Sequence, residues 1–198
     1  MNKLKFLLPA ILIVAAFADA AAQTEAKQTS EPSYEIVLQI VVASNEAAGR
    51  EKLPASLGPA VNKLKNLYAF TDYRLTETFL QRTSGTIEYK SVLSDFGQNP
   101  SLPVFSEWSL RNPRRLSNEQ GRSAVQFDGF RFGARVPVVV AQFSSEGGKT
   151  APVTNYESVG ITSTRFSVVE NQPTVVGSLA TSKPGELMFL VLTVRAAE

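Results

Sequence analysis

The stretch from Ser123 to Ala197 leaves the chain little choice of fold. It is almost entirely strand-forming sequence cut by turn residues. "SAVQFDGFRFGARVPVVVAQF", "NYESVGITSTRFSVVE", "TVVGSLA" and "LMFLVLTVRA" are rich in β-branched and aromatic residues. "SSEGGKTA", "NQP" and "TSKPGE" separate them and read as a hairpin-type loop and two turns. Val125 and Phe127 alternate, as do Phe130 and Phe132, with Asp128-Gly129 reading as a turn or bulge between the two runs. Pro137 cannot donate to a ladder on both sides, so it predicts an edge, a bulge or a strand start. The last strand is continuously apolar from Leu187 to Leu192, which predicts a central strand covered on both faces.

The first half supplies the one helix. Tyr34 to Ala43, "YEIVLQIVVA", is a dense apolar strand interrupted by Gln39. In "PASLGPAVNKLKNLY", Leu57, Val61, Leu64 and Tyr68 recur at helical spacing, and Leu67 broadens the stripe. Ser56 is the expected cap and Pro59 falls in the first turn. Such a helix covers one face of a sheet. "FTDYRLTETFLQR" and "TIEYKSVL" follow as strands around a turn at Gly85, giving a β-α-β-β run with the helix on one face. Asp95 to Pro103 is a turn-rich break. "VFSEWSL" is a strand and "RNPRRLSNEQG" a basic, polar loop. The expected organisation is a signal peptide at 1–22, a flexible leader at 23–33, a small β-α-β-β region at 34–94 and a β-rich region at 104–198, the last two joined or separate. The fold class is α+β, mainly antiparallel β with one amphipathic covering helix.

Lys3 and Lys5 precede the apolar run "FLLPAILIVAAF" and the small-residue sequence "ADAAAQ", with cleavage expected after Ala22 or Ala20. This predicts export to the periplasm or outer membrane of a bacterium, or secretion. With 0 cysteines, the domain must be held by its core rather than by disulfides. With 0 histidines, Ser-His-Asp triads, Cys-His pairs and histidine-bearing zinc sites are excluded. A formal net charge of +2 gives no strong pull toward nucleic acid or anionic membrane. No cofactor is expected.

Gly147-Gly148-Lys149 before Thr150 does not make a phosphate loop, because Phe143 stands where the first glycine belongs and a strand follows. Asp72, Glu77, Glu88, Asp95, Glu107, Asp128, Glu157 and Glu170 lie in polar or turn segments and form no acid/base pair in the sequence. Glu107 beside Trp108 suits a sugar contact, but strand alternation sends Trp108 inward and Glu107 outward. Tyr34, Tyr68, Tyr73, Tyr89 and Tyr156 read as packing residues. Trp108 with Arg111, Arg114 and Arg115 is the candidate interaction surface.

Three segments then resemble the β domain of bacterial secretins, in the same order. "FRFGARVPVVV" is similar to their glycine followed by a Val-Pro stretch, here Val136-Pro137. "NYESVGITSTRFSVVE" is similar to their Tyr-x-x-Val-Gly segment, here Tyr156, Val159 and Gly160. "TVVGSLATSKPGELMFLVLTVR" is similar to a late Val-Val-Gly strand, here Val175, Val176 and Gly177, followed by a closing apolar strand. Ser178 replaces the second glycine of that motif, and "ATSKPGE" is too short for a membrane-lip segment. Secretins are multi-chain outer-membrane channels. The resemblance implies a secretin-like β core and a non-enzymatic structural or assembly role in the envelope. The implied partner is a protein or further copies of the chain, with membrane association peripheral or through assembly. The competing expectations are a soluble periplasmic binding or adhesion module and a glycan-acting enzyme.

Overall fold

The computed structural model describes residues 32–46, 53–93, 96, 102–117, 123–144 and 150–197. The expected signal segment, most of the leader, the Gly147–Lys149 run and most of the 95–103 break lie outside the described residues. Residues 32–198 make one compact unit.

Strand β1 (Ser33–Ser44) and strand β9 (Leu187–Ala197) pair antiparallel from Ser33↔Ala197 to Ala43↔Leu187. Strand β2 (Asp72–Thr83) takes the other edge of β1, and strand β8 (Thr174–Ala180) takes the other edge of β9. The first sheet thus has the order β2-β1-β9-β8. The β1–β2 register slips at Ile40/Val41, and the Thr76 hydroxyl donates to the Ile40 carbonyl at 3.1 Å, satisfying an acceptor where the ladder is disturbed.

The second sheet contains β3 (Ile87–Leu93), β4 (Val104–Arg111), β5 (Arg114–Ser117), β6 (Ser123–Ser144) and β7 (Thr150–Val169). Every pairing in it is antiparallel. Strand β6 is its spine. Residues 124–126 of β6 pair with both β5 and β7, and residues 129–135 pair with both β4 and β7. A strand has two edges, so β4 and β5 follow one another along one edge and β7 holds the other.

The two sheets stack face to face. Ile36, Leu38, Ile40, Leu190, Leu192 and Val194 from the first sheet meet Trp108, Leu110, Phe127, Phe130 and Phe132 from the second. The opposite face of the first sheet carries the helix α1 (Gly58–Leu67), entered through a 3₁₀ turn at Ala55–Leu57. Leu57, Ala60, Val61 and Leu64 pack on Val41, Ala43, Phe189 and Val191. The order of layers is helix, sheet, sheet. This explains why β1 and β9 are so apolar: Gln39 to Ala43 and Met188 to Val194 are buried on both faces.

Several expectations change. The helix begins at Gly58 with Pro59 in its first turn, and neither Ser56 nor any other side chain caps it. Leu67 does not extend the buried stripe, because it is 75% exposed past the edge of the covered strands. The β-α-β-β run does not close into a layer of its own, since β2 joins the first sheet and β3 the second. The basic "loop" contains a strand, β5. Asp128-Gly129 is no turn: β6 runs through it unbroken, although the β6–β7 ladder omits Asp128 and Arg165, and Arg165 takes φ 44°. Trp108 fills the core between Phe79 and Tyr89, with ring centroids 6.3 Å and 5.9 Å away. Replacing it with alanine leaves a void that neighbours fill only in part. Trp108→Ala is expected to lower unfolding free energy by about 3–5 kcal/mol. Leu80→Ala, at an exposed site, is expected to change it by less than ~0.5 kcal/mol. Urea titration of both variants checks the contrast.

Candidate functional site: a two-stranded arm and its root

Strand β4 makes its last pair with β6 at Phe105↔Arg135. Beyond that point β6 keeps β7 alone, from Val136↔Glu157 to Ser144↔Thr150. The result is a two-stranded arm reaching about 30 Å past the sheet, at ~3.4 Å per residue. Pro137 sits where one edge of β6 has just become free, so a missing backbone N–H costs nothing on that side. The register slips at Val139/Ala141, leaving Val140 as the extra residue of a bulge.

Alternation carries the core-facing side of β6 out along the arm. Phe130, Phe132 and Ala134 are buried in the core. The same face continues through Val136 and Val138 and, past the bulge, through Ala141 and Phe143. Val153 and Ala151 stand opposite this last pair on β7. Phe143 is 73% exposed, and Val153 is exposed as well. The reverse face carries Pro137, Val139 and Gln142 opposite Tyr156, Thr154 and Pro152. The core-side face of the arm is apolar toward its tip, at Ala141, Phe143, Ala151 and Val153, and carries Asn155 and Glu157 nearer the root; the reverse face is mixed, and among the described residues neither edge has a further strand partner.

The residues of the first two secretin-like segments meet at the root of this arm. Pro137 faces Tyr156 and Gly160 faces Gly133, while Val159 faces Ala134 and Val136 faces Glu157. The Arg135 guanidinium lies 5.8 Å from the Tyr156 ring centroid, and the Phe105 ring centroid is also 5.8 Å from it. Gly160 is required by close approach, whereas Gly133 has room for a Cβ. A Cβ on Gly160 would collide with the Phe132 carbonyl and come within 3.0 Å of the Gly133 Cα. Val175, Val176 and Gly177 are apart from the root, on β8. A Cβ on Gly177 would collide with the Ile161 side chain of β7, so this glycine lets the two sheets close at their corner.

The proposed surface of Trp108, Arg111, Arg114 and Arg115 is not presented as such. Trp108 is 2% exposed. Arg114 pairs with Asp128 at 3.0 Å and Arg115 with Glu170 at 2.9 Å, which neutralises two of the three cations locally. Arg111 is exposed at the end of β4.

Sequence reasoning missed the Glu170 network. Its side chain is only 8% exposed. The Ser123 hydroxyl donates to Glu170 Oε1 at 2.7 Å, and the Glu170 amide donates to the Ser123 carbonyl at 3.0 Å. Next to it the Asn171 amide, at φ 61°, donates to the Val194 carbonyl at 2.9 Å and ties the corner to β9. Burial pushes the nearby Tyr34 phenol above its ordinary value; the Glu170 carboxylate adds to the rise and Arg115 opposes it. The other half-sunken carboxylate, Glu186, is held by Arg74 at 2.9 Å. Both acids are committed to arginines across strands, which is a structural use. Among the described residues, no group of three or more His, Cys, Asp or Glu side chains is arranged to hold a metal ion. No helix among them is long and apolar enough to cross a membrane.

No family model and no curated protein matches the chain. Among solved structures it resembles a chain of the Klebsiella pneumoniae type II secretion system outer membrane complex, which contains PulD, PulS and the PulC HR domain. The likeness is weak and partial, with 14% identity and a TM-score of 0.30 over 85% of this chain. It spans 40% of that chain, and at this level it carries no functional argument.

Gly177→Ala is expected to lower the melting temperature, and adding Ile161→Ala is expected to recover part of the loss, since the two side chains compete for one space. Thermal unfolding of both single variants and the double variant measures the coupling. The raised Tyr34 value makes a second expectation. Its neutral form is favoured in the fold, so its contribution is intact below pH about 10 and is lost as pH rises through the elevated value. Tyr34→Phe should flatten the alkaline fall in stability measured by urea titration between neutral and alkaline pH.

Proposed function

We propose that the chain is a non-enzymatic structural or assembly component of the bacterial cell envelope, and that the arm is where it joins other copies of itself. The observation that carries this reading is the arm's incompleteness. From Val136 to Ser144 β6 has β7 as its sole strand partner among the described residues, with Val140 bulged out of the ladder. A lone two-stranded ribbon is marginally stable in water, and an unpaired edge is a template for another strand. Adding neighbours' strands to both edges would satisfy the backbone. It would also gather the apolar faces around Phe143 and Val153 onto one side of a larger sheet.

Pro137 and Pro152 limit where this pairing happens, because neither donates a backbone hydrogen bond. They leave Val138 to Ser144 on β6 and Val153 to Tyr156 on β7 with their full set of backbone donors. An arm strand of this length approaches the ~9–11 residues of a membrane-crossing β-strand. Head-to-tail joining of the two unlike edges gives a ring when the rotation between copies closes, and an open filament when it does not. Outer-membrane association through such an assembly, with the body in the periplasm, is the location we propose.

Light scattering on the full chain, in buffer and in detergent, tests this reading. The expected result is a large, detergent-dependent oligomer. Phe143→Glu with Val153→Glu should return it to monomer while leaving the melting temperature of the body unchanged. A clean monomer under both conditions would overturn the proposal.

A further inference from the structure

Strand β8 is the outermost strand of the first sheet. It pairs with β9 on one side. Among the described residues no strand pairs with its other edge. The helix that roofs this face stops short of it: α1 rests on β1 and β9 through Leu57, Ala60, Val61 and Leu64, and its last turn overhangs with Leu67 exposed. Between the overhang and β8 runs a groove of about 420 Å³. Phe189 forms its floor, with the Tyr68 ring standing edge-on at 5.1 Å. Leu64 and Leu67 line the helix wall, and Val175 lines the strand wall. One charged residue, Lys63, is among the described residues that line it.

We propose that this groove is a binding site for an extended acidic peptide, which adds to β8 as a further strand and sets a carboxylate against Lys63. Two features independently select that occupant. The open edge selects an extended backbone, since another strand supplies donors and acceptors at the ~4.8 Å spacing the edge requires. The one lysine selects negative charge, since Lys63 stands exposed at the rim of the groove with no acidic residue among the described lining. Every second side chain of the added strand faces the groove beneath the overhanging Leu67, while those between point to the other face of the sheet. The helix-side positions therefore take small or β-branched apolar residues, and the residue nearest Lys63 takes Glu or Asp. The site uses none of the arm residues, so it stands or falls separately from the assembly reading.

The test uses the full chain and a fluorescein-labelled peptide matching β8 in length, 7 residues, of alternating valine and threonine with one glutamate. Fluorescence anisotropy should give saturable binding. Leu67→Glu and Lys63→Glu should each weaken it at least about tenfold, equivalent to ~1.4 kcal/mol. Both residues lie on the outer side of α1, so the fold should survive, which circular dichroism checks. Replacing the peptide's glutamate with lysine should weaken binding to the native chain and restore it to Lys63→Glu. A peptide N-methylated along its pairing edge should not bind. Hydrogen exchange should slow at β8 amides on binding. The proposal is overturned by absence of saturable binding, by an affinity indifferent to Leu67→Glu and Lys63→Glu, or by protection on the arm instead of β8. It is also overturned if the groove proves to be occupied by a second copy, seen as a concentration-dependent mass that Leu67→Glu abolishes. Phe143→Glu with Val153→Glu should leave peptide affinity unchanged, which separates failure of this site from failure of the arm.

Discussion

Everything else in the molecule hangs on the pairing of β1 with β9. These strands are far apart in sequence, so their ladder closes the longest loop in the described chain. Burial on both faces compensates that entropy: Leu38, Ile40, Leu190 and Leu192 face the second sheet, while Val41, Ala43, Phe189 and Val191 face the helix. Without this central pair neither outer layer has a surface to pack on. The helix has few contacts other than those with this ribbon, and ten residues of helix are marginal in isolation.

Coverage by the helix is partial, and where it stops decides what the surface can do. On the covered face, the strip under α1 is apolar, built from Val41, Ala43, Phe189 and Val191. Further along, the same face carries the Glu35–Arg195 pair at 3.7 Å, an exposed contact that contributes little to stability. Sideways, the coverage ends before β8. One short helix over a four-stranded sheet thus leaves a strip of sheet with apolar side chains and a free edge. The overhang of Leu67 and Tyr68 is the geometric consequence of a helix that outruns its support.

Much of the architecture was legible from pattern alone. Period-two alternation located the strands, and the doubly apolar runs at Tyr34–Ala43 and Leu187–Leu192 announced two strands covered on both faces. Helical spacing at Leu57, Val61 and Leu64 found the one helix. What pattern could not supply was which strand joins which sheet. Strands β2 and β3 are neighbours in sequence and look alike, yet they belong to different layers; the choice depends on long-range burial, which local sequence does not encode. Asp128-Gly129 marks an irregularity rather than a turn: β6 stays extended through it because the ladders resume on either side, at Gln126 to Phe127 and from Gly129 onward, while Asp128 itself is unpaired. Glu170 was unreadable as a buried ion pair, because its arginine lies 55 residues away along the chain. The glycines at 160 and 177 were visible as motif letters, but their reason, a carbonyl and an isoleucine pressed against the missing Cβ, is tertiary.

The arm turns the same folding rule into an unsolved problem at its own end. In the body, an alternating strand finds a second sheet to cover its apolar face and neighbours to fill its edges. Past Val136, whose side chain still packs against the core, the alternation persists with no second sheet over it and no further strand beside it among the described residues. Sequence has thus specified a surface with core character where there is no core. A protein whose only aim was a stable body would end β6 near Arg135 or place charges along both faces, as exposed edges elsewhere are blunted. Instead valines and Phe143 continue along it. Pro137 on β6 and Pro152 on β7 each withhold one backbone donor, which limits pairing at those two positions while the rest of both edges keeps its donors and acceptors.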